Sequence, residues 1–189
     1  MKYVKVMFND KSGASSSFKY KINEVNIATN WNPKADNPRD FGGYNFSTPE
    51  KIIRWIHRGD TIYDVIIPKD AEVVDVIESA TPHGVFRSNK IILTNPRKVN
   101  DDIAIELYKK TTIPDDAFPK TLAAVSVMGY EKTAKQIIKD KINKNNIDIF
   151  LEEWNDFMYH NGKNDRINAN KLVGEINSIL LKIKKSIDN

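Results

Sequence analysis

Residues 41–68 read FGGYNFSTPEKIIRWIHRGDTIYDVIIP, and their punctuation decides the fold class. Gly42 and Gly43 permit a positive φ or a close backbone approach. The next triplet predicts a short strand with Tyr44 and Phe46 on one face. Thr48, Pro49 and Glu50 form a helix start. The hydroxyl can accept from a free backbone N–H, the proline pre-sets φ, and the carboxylate suits the positive end of the dipole. Ile52, Ile53, Trp55 and Ile56 supply an apolar side, and Gly59 stops the segment after His57 and Arg58. The run TIYDVIIP is a second strand. A helix over Thr48–Gly59 crossing between strands predicts an α+β unit.

The pattern extends in both directions. Lys2–Phe8 alternates and reads as a first strand, and Phe18–Ala28 alternates again with Phe18, Tyr20 and Ile22 on one face. A polar loop around Trp31 follows, in which Asn32 and Asn37 precede prolines and are expected to be extended. AEVVDVIE and Val85–Leu93 are further strands. After Asn95 and Pro96 the character becomes helical, with a capped start at NDDIAIELYKK and two helices joined at Gly129. The expected organisation is an α+β domain over residues 1–100 and a helical domain over residues 101–189.

Composition narrows the chemistry. The chain has 189 residues, 40% of them hydrophobic and 29% charged, which suits a folded protein. A net charge of +4 fits a lysine-rich solvated surface, and also an anionic partner such as a nucleotide or nucleic acid. The absence of cysteine excludes disulfides, thiolate nucleophiles and cysteine-based zinc sites. His57, His83 and His160 are far apart in sequence, so no metal site is expected. MKYVKVMFNDKSGASSS lacks the apolar core of a secretory leader, and no apolar run reaches membrane-spanning length, so a cytoplasmic location is expected. The phosphate-loop, dinucleotide-fold, nucleophile-elbow and zinc-protease signatures are all missing. The acidic pairs Asp115-Asp116 and Glu152-Glu153 fit helix starts or solvated surface.

The strand–hydroxyl–helix unit at Gly42–Gly59 is the natural place for an anion, because exposed N–H groups there adjoin glycine-permitted space. Tyr44 offers a flat face, and Ser47 and Thr48 offer hydroxyls. The same residues also suit an ordinary junction, with Thr48 as a cap and Tyr44 in the core.

GGYNFST, followed by a helix and then DTIYDVIIPKDAEVV, resembles the middle of the ADP-ribosyltransferase superfamily. HGVFRSNKIILTNP is similar to the late strand of the tRNA 2′-phosphotransferases, which share that fold. The resemblance covers roughly residues 20–100. It implies a split antiparallel sheet with NAD bound in the cleft. Tyr44 would lie against the nicotinamide, with Ser47 and Thr48 near the ribose or supporting the site, and Gly43 would be among the cofactor-binding residues. Arg87, Ser88 and Asn89 would face the same cleft, with Arg87 or Arg58 holding phosphate, so that Tyr44 and Arg87 are the implied catalytic pair. The implied activity is NAD-dependent transfer to a macromolecular acceptor, protein or nucleic acid. Lys90 stands where the family carries a glutamate, and a cation there opposes developing positive charge. No motif selects Glu72 or Glu78 in its place. The family's early Arg or His has no match, with Asn30, Trp31 and Arg39 as the nearest substitutes. Lys90 favours an alternative: a catalytically inactive binding module of the same fold for a nucleotide, nucleic acid or protein partner, of the kind carried by phages and mobile elements.

Overall fold

The computed structural model describes residues 2–8, 10–11, 18–76, 84–162 and 167–188. His83 and Glu78, both named above, lie outside them. The chain divides into two compact units, Met1–Ile52 with Arg58–Lys98, and Ile53–His57 with Val99–Asn189.

The first unit is built from alternating strands. β1 (Tyr3–Met7) pairs antiparallel with β4 (Thr61–Ile66). β4 pairs in turn with β7 (Lys90–Lys98), and β7 with β2 (Val25–Ile27), giving the order β1-β4-β7-β2. A second antiparallel sheet has the order β3-β6-β5, from Tyr44–Phe46, Phe86–Ser88 and Val73–Asp75. The expected strand over Val85–Leu93 is therefore two strands. It breaks at Asn89, where the chain passes from one sheet to the other. The longer strand expected over Phe18–Ala28 contracts to β2, because Asn26 turns its amide inward and bonds Lys21 N, Lys21 O and Glu24 O.

Alternation explains how the sheets meet. Met7, Tyr63, Val65, Ile91 and Leu93 from the larger sheet share one buried cluster with Tyr20, Tyr44 and Phe46. Each side chain of this size contributes about 1.5–3 kcal/mol when removed from water. Tyr3 packs edge-on to Phe46 at 4.9 Å, and Phe46 stacks on Phe86 at 5.8 Å.

The expected helix over Thr48–Gly59 is shorter and tighter. A 3-10 segment spans Ile52–Arg58, interrupted by non-helical torsions at Trp55. The Thr48 side chain is no helix cap; its carbonyl accepts from Lys51 N and Ile52 N instead. Gly59 is extended. A Cβ there would lie 2.2 Å from the Met7 backbone, so this glycine serves close approach to β1 rather than a left-handed helix stop.

The second unit surrounds one apolar helix. α1 (Asp101–Lys110) is capped by Asn100, whose side chain accepts from Ile103 N. α2 (Phe118–Val127) is buried at nearly every position and packs against α3 (Glu131–Lys141), α4 (Ile147–Asn161) and α5 (Ile167–Asp188). An all-round apolar helix belongs in the middle of a bundle. Its buried hydroxyls are satisfied locally: Thr121 donates to Ala117 O and Ser126 to Leu122 O. Gly129, at φ +79, turns the chain from α2 into α3.

Candidate functional site

β3 has the two-residue period of a strand, and that period distributes the expected site residues. Tyr44 is only 6% exposed, its ring 5.4 Å from Tyr20 and 5.3 Å from Phe18. Burial pushes its hydroxyl above the usual tyrosine range. Tyr44 is a core residue and presents no stacking face, contrary to the expectation. Ser47 is buried as well. Its hydroxyl donates to Gly84 O at 2.5 Å, and its backbone bridges to Val4. Neither it nor Thr48 forms the hydroxyl pair of an anion site.

The β3–β6 register separates the implied catalytic pair. Tyr44 stands opposite Ser88, and Asn45 stands opposite Arg87. Opposed residues share a face and neighbours alternate, so Arg87 and Tyr44 lie on opposite faces of one sheet. For the same reason Arg87, Ser88 and Asn89 do not face one cleft. Ser88 is fully buried and donates to Lys90 O, whereas the Asn89 side chain accepts from Glu72 N. Arg58 is exposed at the end of the short 3-10 segment. Lys90 is ion-paired with Asp70.

Gly42 and Gly43 have φ of +66 and +69. A Cβ on Gly42 would meet Asn30 O at 1.8 Å, and one on Gly43 would meet the Trp31 ring at 2.6 Å. The glycines admit the protein's own loop, so no space beside Gly43 is reserved for a ribose.

A different group forms around Arg87. Lys5 lies on β1 opposite Tyr63, on the same face as Tyr3 and Met7. Its side chain is only 5% exposed. Its ammonium donates to Asn45 O and Asn45 Oδ1, each at 2.6 Å, and lies 5.3 Å from the Tyr20 ring centroid. The Arg87 guanidinium donates through one terminal nitrogen towards Arg39 O and Gly42 O, both at 3.4 Å. Its Nε is buried and has no hydrogen-bond partner among the described residues. Among the described residues no carboxylate pairs with Lys5 or Arg87. Burial, and secondarily the Arg87 charge, hold the Lys5 ammonium down to about 7.

From Gly43 the polar rim continues. Asn30 Oδ1 accepts from Gly43 N at 3.3 Å, and the Trp31 indole donates to Glu72 Oε2 at 2.5 Å. Glu72 is thereby tied to Trp31 through its side chain and to Asn89 through its backbone. Two cations whose partners are neutral oxygens attract an anion, and burial strengthens that attraction by lowering the local dielectric. A separate open hollow of about 420 Å³ is lined by Asp10, Thr61, Tyr63, Pro96 and Lys98. There burial, with Asp10 and Asp60, pushes the Tyr63 hydroxyl up.

Sequence reasoning did not single out Lys5 or Asn45. The available signal was a lysine on the inward-facing register of YVKVM, between Tyr3 and Met7. Compared with family models, with curated proteins and with solved structures, the chain shows no match in any of the three. Among the described residues no cluster of acidic or histidine side chains is arranged to hold a metal, and no helix is long and apolar enough to cross a membrane.

Proposed function

We propose that the first unit is a binding module for a phosphate-bearing ligand of the nucleotide class, with Lys5 and Arg87 holding the anion. The observation that carries this reading is that buried Lys5 bonds Asn45, the residue opposite half-buried Arg87 in the β3–β6 ladder, and that among the described residues both cations have only carbonyl and amide oxygens as hydrogen-bond partners. A buried charge without a counter-ion is costly, and an anionic ligand supplies the missing charge. Arg87 suits phosphate because its planar fork can give two parallel bonds.

Transfer of ADP-ribose from NAD to a macromolecular acceptor, on a split-sheet ADP-ribosyltransferase-like fold, is the second reading. One observation favours it: Glu72 lies beside Trp31 and is hydrogen-bonded to Asn89, so a carboxylate borders the same rim. The residues fit NAD only in part. Lys5 and Arg87 suit its phosphates, whereas the buried Tyr44 offers no face for nicotinamide. No catalytic step is assigned on this fit.

The test is a melting-temperature series with ADP-ribose, NAD, sulfate and RNA, run on the wild type and on Arg87→Ala. A ligand at about a hundred times its Kd adds about 2.7 kcal/mol to stability. Stabilisation by the phosphate-bearing probes that disappears in Arg87→Ala supports the module. Equal stabilisation of both proteins, or none of either, removes it. Free nicotinamide released from NAD by the wild type but not by Glu72→Gln would make the second reading the correct one.

A further inference from the structure

We infer that Lys5 is a proton-linked ligand of the anion, taking up a proton when a phosphate group settles between it and Arg87. This rests on the reading of the site given above. The geometry comes first. Lys5 projects from the central part of β1 into aromatic surroundings, and among the described residues its hydrogen-bond acceptors are the two oxygens of Asn45. The groups around it are Tyr63 on β4, Tyr20 in the segment before β2 and Asn45 on β3, with the Arg87 charge on β6 opposite Asn45. Of these only Arg87 is charged near neutrality, and it repels an ammonium. The Tyr63 hydroxyl is pushed upward, so it stays neutral through the same range. Asp64, the residue after Tyr63, is on the other face of β4 and is committed to Arg97.

The charge balance sets the direction. Without ligand, protonated Lys5 carries both the cost of burial and the repulsion of Arg87, so its neutral form is favoured from about 7 upward. A bound anion stabilises the protonated form and restores the ammonium as a donor. Binding above that point therefore consumes one proton, and affinity falls with rising pH. Where one proton is linked, affinity changes about tenfold per pH unit.

The experiment is isothermal titration of ADP-ribose into the full chain. Its pyrophosphate diester keeps one charge state between about pH 6 and about pH 9, so a slope in that range reports the protein. The wild type is expected to lose about tenfold in affinity between about pH 7.5 and about pH 8.5. Heats measured in two buffers of different ionisation enthalpy are expected to show uptake approaching one proton at the upper end and less near about pH 6. Lys5→Met and Lys5→Arg are both expected to bind with flat profiles, the first weakly and the second with its charge fixed. The buffer comparison needs only the wild type, so misfolding of a variant leaves the test intact. Binding with a flat wild-type profile and no proton uptake overturns the inference and spares the site. A slope that persists in Lys5→Arg assigns the proton elsewhere and also overturns it. Failure of ADP-ribose to bind at any pH removes the site and the inference together.

Discussion

Arg87 stands directly opposite Asn45 across the β3–β6 ladder, and Asn45 gives both of its oxygens to Lys5. Asn45 thus links the two cations, bonded to Lys5 of one sheet and in register with Arg87 of the other. The pairing depends on strand register, which places Arg87 beside Asn45 and away from Tyr44.

The first prediction concerns the cost of holding Lys5 in that position. Its folded-state value is lowered to about 7 from 10.5. Below about 7 both folded and unfolded states are protonated, and the destabilisation is complete. Between about 7 and 10.5 the unfolded chain holds a proton that the folded chain has released, so stability rises with pH through that window. Lys5→Met should therefore stabilise the protein near pH 6 by about 1–4 kcal/mol, with the advantage shrinking as pH rises. Urea melts across the window check this, and an advantage that does not change with pH contradicts it.

A second prediction follows from Asp64 on β4. Arg97 NH2 lies 2.8 Å from Oδ1, Arg97 NH1 lies 3.1 Å from Oδ2, and Asn95 Nδ2 lies 2.9 Å from Oδ2. The Arg97 hydrogen bonds, helped by Asn95 and opposed by burial, hold this carboxyl below its usual range. The stability it contributes is present above the unfolded value and is lost as pH falls through the folded one. Asp64→Asn should cost about 1 kcal/mol at neutral pH, allowing for partial solvent screening, and nothing once the carboxyl is protonated. Arg97→Lys should not restore the loss, because an ammonium lacks the fork. Paired acid and neutral denaturant melts measure both.

In the second unit, Asp101 caps a helix other than its own. Its carboxylate accepts from Lys132 N at 2.7 Å, Thr133 N at 3.0 Å and the Thr133 hydroxyl at 2.8 Å. Asp101→Ala should destabilise by about 1–2 kcal/mol, near the upper end for helix caps. Amide hydrogen exchange should show the loss concentrated in the first turn of α3. Uniform protection there would contradict the cap assignment.

Two glycines should respond oppositely to the same change. Gly43→Ala meets a positive φ, the Trp31 ring at 2.6 Å and Ser88 O at 2.7 Å, so it should destabilise by more than about 1 kcal/mol. Gly174 lies within α5 with nothing within 4 Å of an added Cβ, so Gly174→Ala should stabilise by about 0.5–1 kcal/mol. Thermal melts of the two variants decide it.

The α+β character of the front half and the helical character of the rest were legible because each rests on local periodicity and local punctuation. Asn100 as a cap and Gly129 as a turn are examples, since each acts within a few residues of itself. The short segment at Ile52–Arg58 was harder to read. Its apolar residues fit a helical stripe, while Trp55 breaks the torsions and Gly59 is needed for contact with Met7, distant in sequence. The candidate site was the least legible part. Tyr44 and Ser47 have the chemistry of a ligand surface, yet strand alternation turns them inward. Lys5 joins Asn45 across forty positions of sequence, and only the approach of β1 to β3 brings them together.

The most direct test follows the side-chain resonances of Arg87 Nε–H and the Asn45 amide by NMR during titration with ADP-ribose. Both are predicted to move together and saturably, while the Nε–H of Arg97, whose two terminal nitrogens are held by Asp64, stays in place. If Arg58, Arg97 and Arg87 shift alike, or if none shifts, the assignment of Lys5 and Arg87 as the anion-holding pair is wrong.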